Sequence, residues 1–179
     1  MTIIHSQLYS SPIGTLQIGA TKDSLLFIEY DDSPNSAKKV QSVAKALSAT
    51  IENNPSPYHS VVTAQLDEYF SGIRTEFSLH LQTIGTDFQQ SVWQSLRTIP
   101  YGTTTTYKEQ SLALNNPSAI RAIASTNAKN CVNIVIPCHR VVGTNGSLTG
   151  YSGGIWRKRW LLDFEQQHTH SSLQQIPLL

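Results

Sequence analysis

Only two cysteines occur in the chain, Cys131 and Cys138, and both fall in one short segment. A disulfide scaffold is thereby excluded, and in the absence of an export signal at least one of them is expected to be a free thiol in a reducing compartment. No apolar run approaches the roughly 18 residues of a membrane span. The opening MTIIHSQLYSSPIG has neither the basic stretch nor the apolar core of a signal peptide. These absences predict a protein without a membrane partner that stays inside the cell, cytoplasmic and nucleoid-associated in a bacterium, nuclear in a eukaryote. Metal chemistry is short of ligands: a structural zinc takes about four, and only Cys131, Cys138 and His139 are near one another in sequence. The Cys-x-x-Cys-His of haem attachment is missing, so no cofactor is expected.

The small net charge of +1 hides an asymmetry. Residues 1–85 carry five Lys or Arg against eight Asp or Glu, whereas residues 86–179 carry eight against four. The second half could face a polyanion, although ordinary solvated charge would look the same. The pattern of elements also changes near Gly85. IIHSQLYS, GTLQIGAT and SLLFIEY read as an antiparallel meander separated by turn formers. Val40, Val43, Ala44, Leu47 and Ile51 then follow helical spacing, a second helix is expected at about 61–70, and FSLHLQT alternates as one more strand. Beyond residue 85, Thr86-Asp87-Phe88-Gln89 and Thr106-Tyr107-Lys108-Glu109 have the form of capping boxes. Asn116-Pro117 opens a helix to about Ala128, which gives a helix-turn-helix. A last helix is expected at about 155–166. The division predicted is 1–85, 86–166 and a flexible tail at 167–179.

The chemistry concentrates in IVIPCHRVVG, where an apolar, strand-like run stops at Pro137 and presents Cys138, His139 and Arg140. A thiol attacks as thiolate, and its unperturbed pKa of about 8.5 calls for a base or a positive charge beside it. His139 or Arg140 could supply either; a buried, inert cysteine is the alternative that spacing leaves open. The helix SAIRAIASTNA gathers Ser118, Arg121, Ala122 and Ser125 on one face, small except for one arginine. Such a face can approach a nucleic-acid backbone closely while the arginine enters the base stack; tight packing against another domain would fit it equally.

TDFQQSVWQSLRTIPYGTTTTYKE, NPSAIRAIA, IVIPCHRVVG and GYSGG followed by RKRWLLDFE together resemble the O6-alkylguanine-DNA alkyltransferases, the bacterial Ogt type most closely. The resemblance implies an α+β fold, with a small N-terminal α/β domain like ribonuclease H and a mainly helical C-terminal domain bearing a winged helix-turn-helix. It implies single-turnover transfer of an alkyl group from O6 of guanine, and from O4 of thymine, to Cys138. The implied catalytic set is Cys138, His139 as base, Glu165 orienting it, and Asn130 supporting the turn. Tyr107, Val141, Tyr151, Ser152 and Asn127 would bind the lesion. Arg121, Ser118, Ala122, Ser125 and Arg140 would contact double-stranded DNA from its minor groove, with the protein acting as a monomer. The sequence departs from the family's pattern at Asn130-Cys131, where Asn-Pro is usual, at Lys108, Gln110 and Ser111, and at Ala124-Ser125. A non-catalytic alkyl-lesion binder, a helix-turn-helix regulator and a thiol hydrolase are the rival readings.

Overall fold

A computed structural model describes residues 2–173. The meander forms as expected, with β1 (Thr2–Ser11), β2 (Gly14–Ala20) and β3 (Leu25–Tyr30) paired antiparallel in succession. Gly19 marks the tightest point between them, since a Cβ there would strike the ring of Phe27. Helix α1 (Ser36–Ala46) ends earlier than the sequence spacing suggests, and Ile51 belongs to β4 (Ala49–Glu52), which pairs parallel with β1. The sheet order is β3-β2-β1-β4.

β3 is buried along its whole length because both faces of the sheet are covered. On one side, Val40, Val43 and Ala44 of α1 pack on Ile4, Leu26 and Phe27. On the other, Leu16, Ile18 and Ile28 meet Val62, Leu66 and Tyr69 of α2 (Pro57–Phe70). That second cluster continues without a break into Trp93 and Leu96 of α3 (Asp87–Arg97), Val132–Ile136 and Leu161. One apolar core therefore serves both halves of the chain.

The stretch 77–83 does not form the strand that its alternation suggests. It makes one bridge, Leu25 with Leu81, and shares the outer edge of β3 with a segment of the C-terminal half that bridges Ile28 to Val132. Two short visitors covering one edge leave neither enough length for a ladder, yet they protect it from pairing elsewhere.

Both capping boxes are present: Thr86 with Gln89 starts α3, and Thr106 with Glu109 starts α4 (Tyr107–Ala113). A turn through Asn115, whose φ of 53° suits asparagine, leads to a 3-10 turn at Pro117–Ala119 and then to α5 (Ile120–Ala128). The two-residue pair of β5 (Thr105–Thr106) and β6 (Val141–Val142) supplies the wing beside this helix-turn-helix. Helix α6 runs Ile155–Leu173, past the expected end at Gln166. No glycine or proline interrupts it there, His168 packs on the ring of Phe164, and the Thr169 hydroxyl donates to the Glu165 carbonyl. The rest of the expected tail, 174–179, lies outside the described residues. Among the described residues no helix is long and apolar enough to cross a membrane.

Candidate active site

The run before Cys138 is a buried turn, not the strand that its apolar composition suggests. It touches the edge of β3 only at the Val132 bridge, and asparagine side chains satisfy much of its remaining backbone: Asn130 Nδ2 donates to the Ile136 carbonyl at 2.8 Å, and the Val132 amide donates to Asn130 Oδ1 at 2.9 Å. Asn133 ties the same turn to the Ile28 carbonyl at 2.9 Å. Ile134 pays with a φ of 74°, a region that β-branched residues avoid. The turn delivers Cys138 at the start of a 3-10 turn, Cys138–Arg140, and Asn130 Nδ2 also donates to its sulfur at 3.2 Å.

Behind the thiol stands a buried carboxylate. Glu165 Oε1 accepts from His139 Nε2 at 2.8 Å, from Tyr69 Oη at 2.8 Å and from Arg140 Nη2 at 2.9 Å. Its Oε2 accepts from Arg140 Nε at 2.9 Å and the Gly102 amide at 3.1 Å. Burial alone would raise the Glu165 carboxyl, but His139 and Arg140 outweigh it and hold it below the usual carboxylate range. Burial pulls His139 below its ordinary value, against the opposing pull of Glu165. The imidazole is thus neutral at neutral pH, and it keeps its proton on Nε2, which donates to the Glu165 carboxylate. Its Nδ1 meets no hydrogen-bond partner among the described residues, which leaves a lone pair available. Burial pushes the Cys138 thiol up, and the Asn130 bond with the charges of Lys39 and Lys158 counters this only in part. Such a thiol needs a base, and His139 is the next residue in the chain.

The remaining walls come from α4 and the loop before α6. The Tyr107 hydroxyl donates to the Thr149 carbonyl at 3.1 Å, and Lys158 Nζ donates to the same oxygen at 2.8 Å. Burial lowers that ammonium to about 8. Tyr151 shares a 2.8 Å hydrogen bond with Tyr30 of β3, and Gly153 lies so close to Tyr30 that a Cβ would enter its ring. Tyr107, Tyr151 and Lys158 are all within electrostatic reach of the Cys138 sulfur. Val141 is buried, its amide bonded to the Cys138 carbonyl. A cleft of about 780 Å³ runs past Tyr151 and Ser152 between the end of α5, at Ser125 and Lys129, and α1, at Lys39. Cys131 lines this cleft, and burial pushes its thiol up to about 11.

Two expected roles are corrected. Arg140 is not a DNA contact: it is buried with its guanidinium on Glu165 and, through Nη1, on the Ile99 carbonyl at 2.7 Å. Asn127 does not line the lesion site: it is buried between α4 and α5, its amide donating to Gln110 Oε1 at 2.8 Å. Ser118, Arg121, Ala122 and Ser125 are all exposed. Sequence reasoning missed Tyr69, Gly102, Lys158 and Lys39. Gly102 and Lys158 lie within the segments that carry the resemblance but were given no role there, Tyr69 and Lys39 lie in none of them, and each reaches the site only through the fold.

Two family models match the chain: the 6-O-methylguanine DNA methyltransferase DNA binding domain over residues 87–167, and the ribonuclease-like domain of the same family over residues 4–83. A methylated-DNA--protein-cysteine methyltransferase of Mycobacterium bovis is 38% identical over 174 residues, covering 96% of this chain and 98% of that protein. The constitutive enzyme of that name from Bacillus subtilis is 38% identical over 159 residues, covering 87% of this chain and 92% of its own. The crystal structure of Mycobacterium tuberculosis OGT in complex with DNA superposes with a TM-score of 0.79 at 38% identity, covering 92% of this chain and 94% of that one.

Proposed function

The chain belongs to the 6-O-methylguanine DNA methyltransferase family, and on that premise we propose that it repairs DNA by moving the alkyl group of O6-alkylguanine onto Cys138, once per molecule. The observation that carries this reading is a buried Cys138 thiol held by Asn130 and followed in the chain by His139, a neutral imidazole whose Nε2 is bonded to the ionised Glu165 and whose Nδ1 has no partner among the described residues. His139 Nδ1 takes the thiol proton, through an intervening water. The thiolate attacks the alkyl carbon, a C–S bond forms as the C–O6 bond breaks, and the electron pair leaves with the purine. Tyr107 is placed to give a hydrogen bond to the departing base after releasing the Thr149 carbonyl, which lowers the cost of the developing charge. The product is a thioether, and no group near it could hydrolyse a C–S bond.

The alkyl carbon is inaccessible inside a duplex, so the nucleotide must be turned out of the stack, at a cost of a few kcal/mol. The exposed face of Ser118, Arg121, Ala122 and Ser125 suits a close approach along the minor groove, with Arg121 filling the vacated space and the protein acting as a monomer. The backbone amide of Ser152 and the ring of Tyr151 would border the extruded base at the mouth of the cleft. A non-catalytic lesion binder would not need a thiol held by Asn130 beside a poised base.

Intact mass spectrometry after incubation with O6-methylguanine duplex tests the proposal. Wild type gains one methylene mass at Cys138, Cys138→Ala gains none while still binding DNA, and Cys131→Ser gains it as wild type does. A label on Cys131, or transfer by Cys138→Ala, would overturn the assignment.

A further inference from the structure

Lys39 belongs to α1, in the half of the chain that carries no catalytic group, yet its ammonium ends at the reaction site. Nζ donates to the Asn130 carbonyl at 2.7 Å, to Glu29 Oε1 at 2.9 Å and to Ser152 Oγ at 3.1 Å. An ammonium has three N–H donors, and all are used. The side chain is 13% exposed and that of Glu29 only 1%, so this is no solvated surface pair. Burial pushes the Glu29 carboxyl up to about 7 against the pull of Lys39. The two bonds on the other side of the ammonium matter more. Asn130 is the residue whose amide holds both the Ile136 carbonyl and the Cys138 sulfur. Ser152 borders the cleft, and its carbonyl accepts at 3.0 Å from Ser33, a second donor of the N-terminal half.

We propose that Lys39 is a positioning residue for alkyl transfer: it fixes the Asn130 turn, which carries the Cys138 sulfur, and the Ser152 loop, which borders the lesion, at one separation from each other. The two are otherwise distant in sequence, and this ammonium bridges them directly. Sulfur and alkyl carbon must meet in line, and a displacement of about 1 Å can cost on the order of a hundredfold in rate. The N-terminal half is then part of the reaction site. The proposal rests on the alkyltransferase reading above, and wild-type transfer to Cys138 is the control that tests that reading separately.

The experiment is single-turnover transfer by Lys39→Met, Lys39→Arg and Lys45→Met, on O6-methylguanine duplex and on free O6-benzylguanine, with duplex affinity and melting measured alongside. Lys45 is exposed in the last turn of the same helix, outside the lining of the cleft, and controls for charge alone. Lys39→Met is expected to lower the saturating rate about tenfold or more on both substrates, with duplex affinity held within about twofold, because geometry and not binding is lost. Lys39→Arg, which can still bridge two of the acceptors, recovers most of the rate, and Lys45→Met stays at wild type. If Lys39→Met unfolds, Glu29→Gln with Lys39→Met removes the stranded carboxylate, a change that buried pairs often tolerate. This folded double variant should show the same slow transfer. Wild-type rates in Lys39→Met or in the folded double variant, or equal losses in Lys45→Met, would overturn the proposal.

Discussion

Replacing Glu165 by glutamine probes the buried carboxylate with least change of shape. Its two oxygens accept five hydrogen bonds, from Tyr69, His139, Gly102 and twice from Arg140. Glutamine turns one oxygen into an NH2 group that faces two or three donors, and it leaves Arg140 as a buried cation without its counter-charge. Removing one partner of such a pair costs about 3–5 kcal/mol, a figure that includes the donors left unmatched. The whole stability of a domain is about 5–15 kcal/mol, so this one change takes a large part of it. At roughly 2–4 °C per kcal/mol for a chain of this size, the melting temperature should fall by about 6–20 °C. Transfer measured well below that temperature should slow as well, because His139 loses the partner that fixes its Nε2 proton. Adding Arg140→Met to Glu165→Gln should recover part of the stability and none of the transfer, since the stranded cation goes but the imidazole remains unanchored. Thermal melting by circular dichroism and single-turnover transfer read the two effects. A Glu165→Gln protein melting within about 2 °C of wild type would refute the reasoning, as it would mean that no cation was stranded.

Arg121→Ala should slow repair in duplex DNA far more than transfer from free O6-benzylguanine; equal losses would show that Arg121 supports the pocket instead of base extrusion. The depressed pKa of His139 keeps its base form through the ordinary histidine value of 6.5, so the transfer rate should stay level down to that pH and fall only below it. A decline beginning at neutral pH would contradict a neutral buried imidazole. The same depression favours the folded state above 6.5, where the unfolded histidine is also neutral, and that contribution is lost as the pH falls below it, which urea titrations at several pH values can follow. Duplex affinity should weaken with salt in proportion to the few phosphates neutralised, and a flat response would remove the basic C-terminal face from the interface.

What the sequence made legible was local. The meander, the two capping boxes and the helix-turn-helix follow from patterns only a few residues long. The pairing of Cys138 with His139 followed from adjacency, and Glu165 came from the family resemblance. The DNA role of Arg140 came with the family resemblance, and adjacency alone gave only a charge beside the thiol; only the fold brings Glu165 and the Ile99 carbonyl to it. Asn127 pairs with Gln110 across a helix contact that neither residue signals alone. β4 was invisible because Ile51 continued the helical spacing of α1, and its pairing with β1 is set by distant residues. Lys39 looks in sequence like one more lysine on a polar helix face.

The core that runs from β2 and β3 through α2 into α3, Val132–Ile136 and Leu161 also makes the chain one thermodynamic unit. Two halves with separate cores could melt one after the other, and either could be cut away. Here, severing the chain near residue 85 would open an apolar face on each piece, and the edge of β3 would lose the segment that covers it. Unfolding should therefore follow a single transition, with all probes coincident. For a protein consumed by its own reaction, the capacity to repair equals the number of folded, unspent molecules. A destabilising change anywhere in that shared core, even in a strand far from the thiol, draws directly on that number.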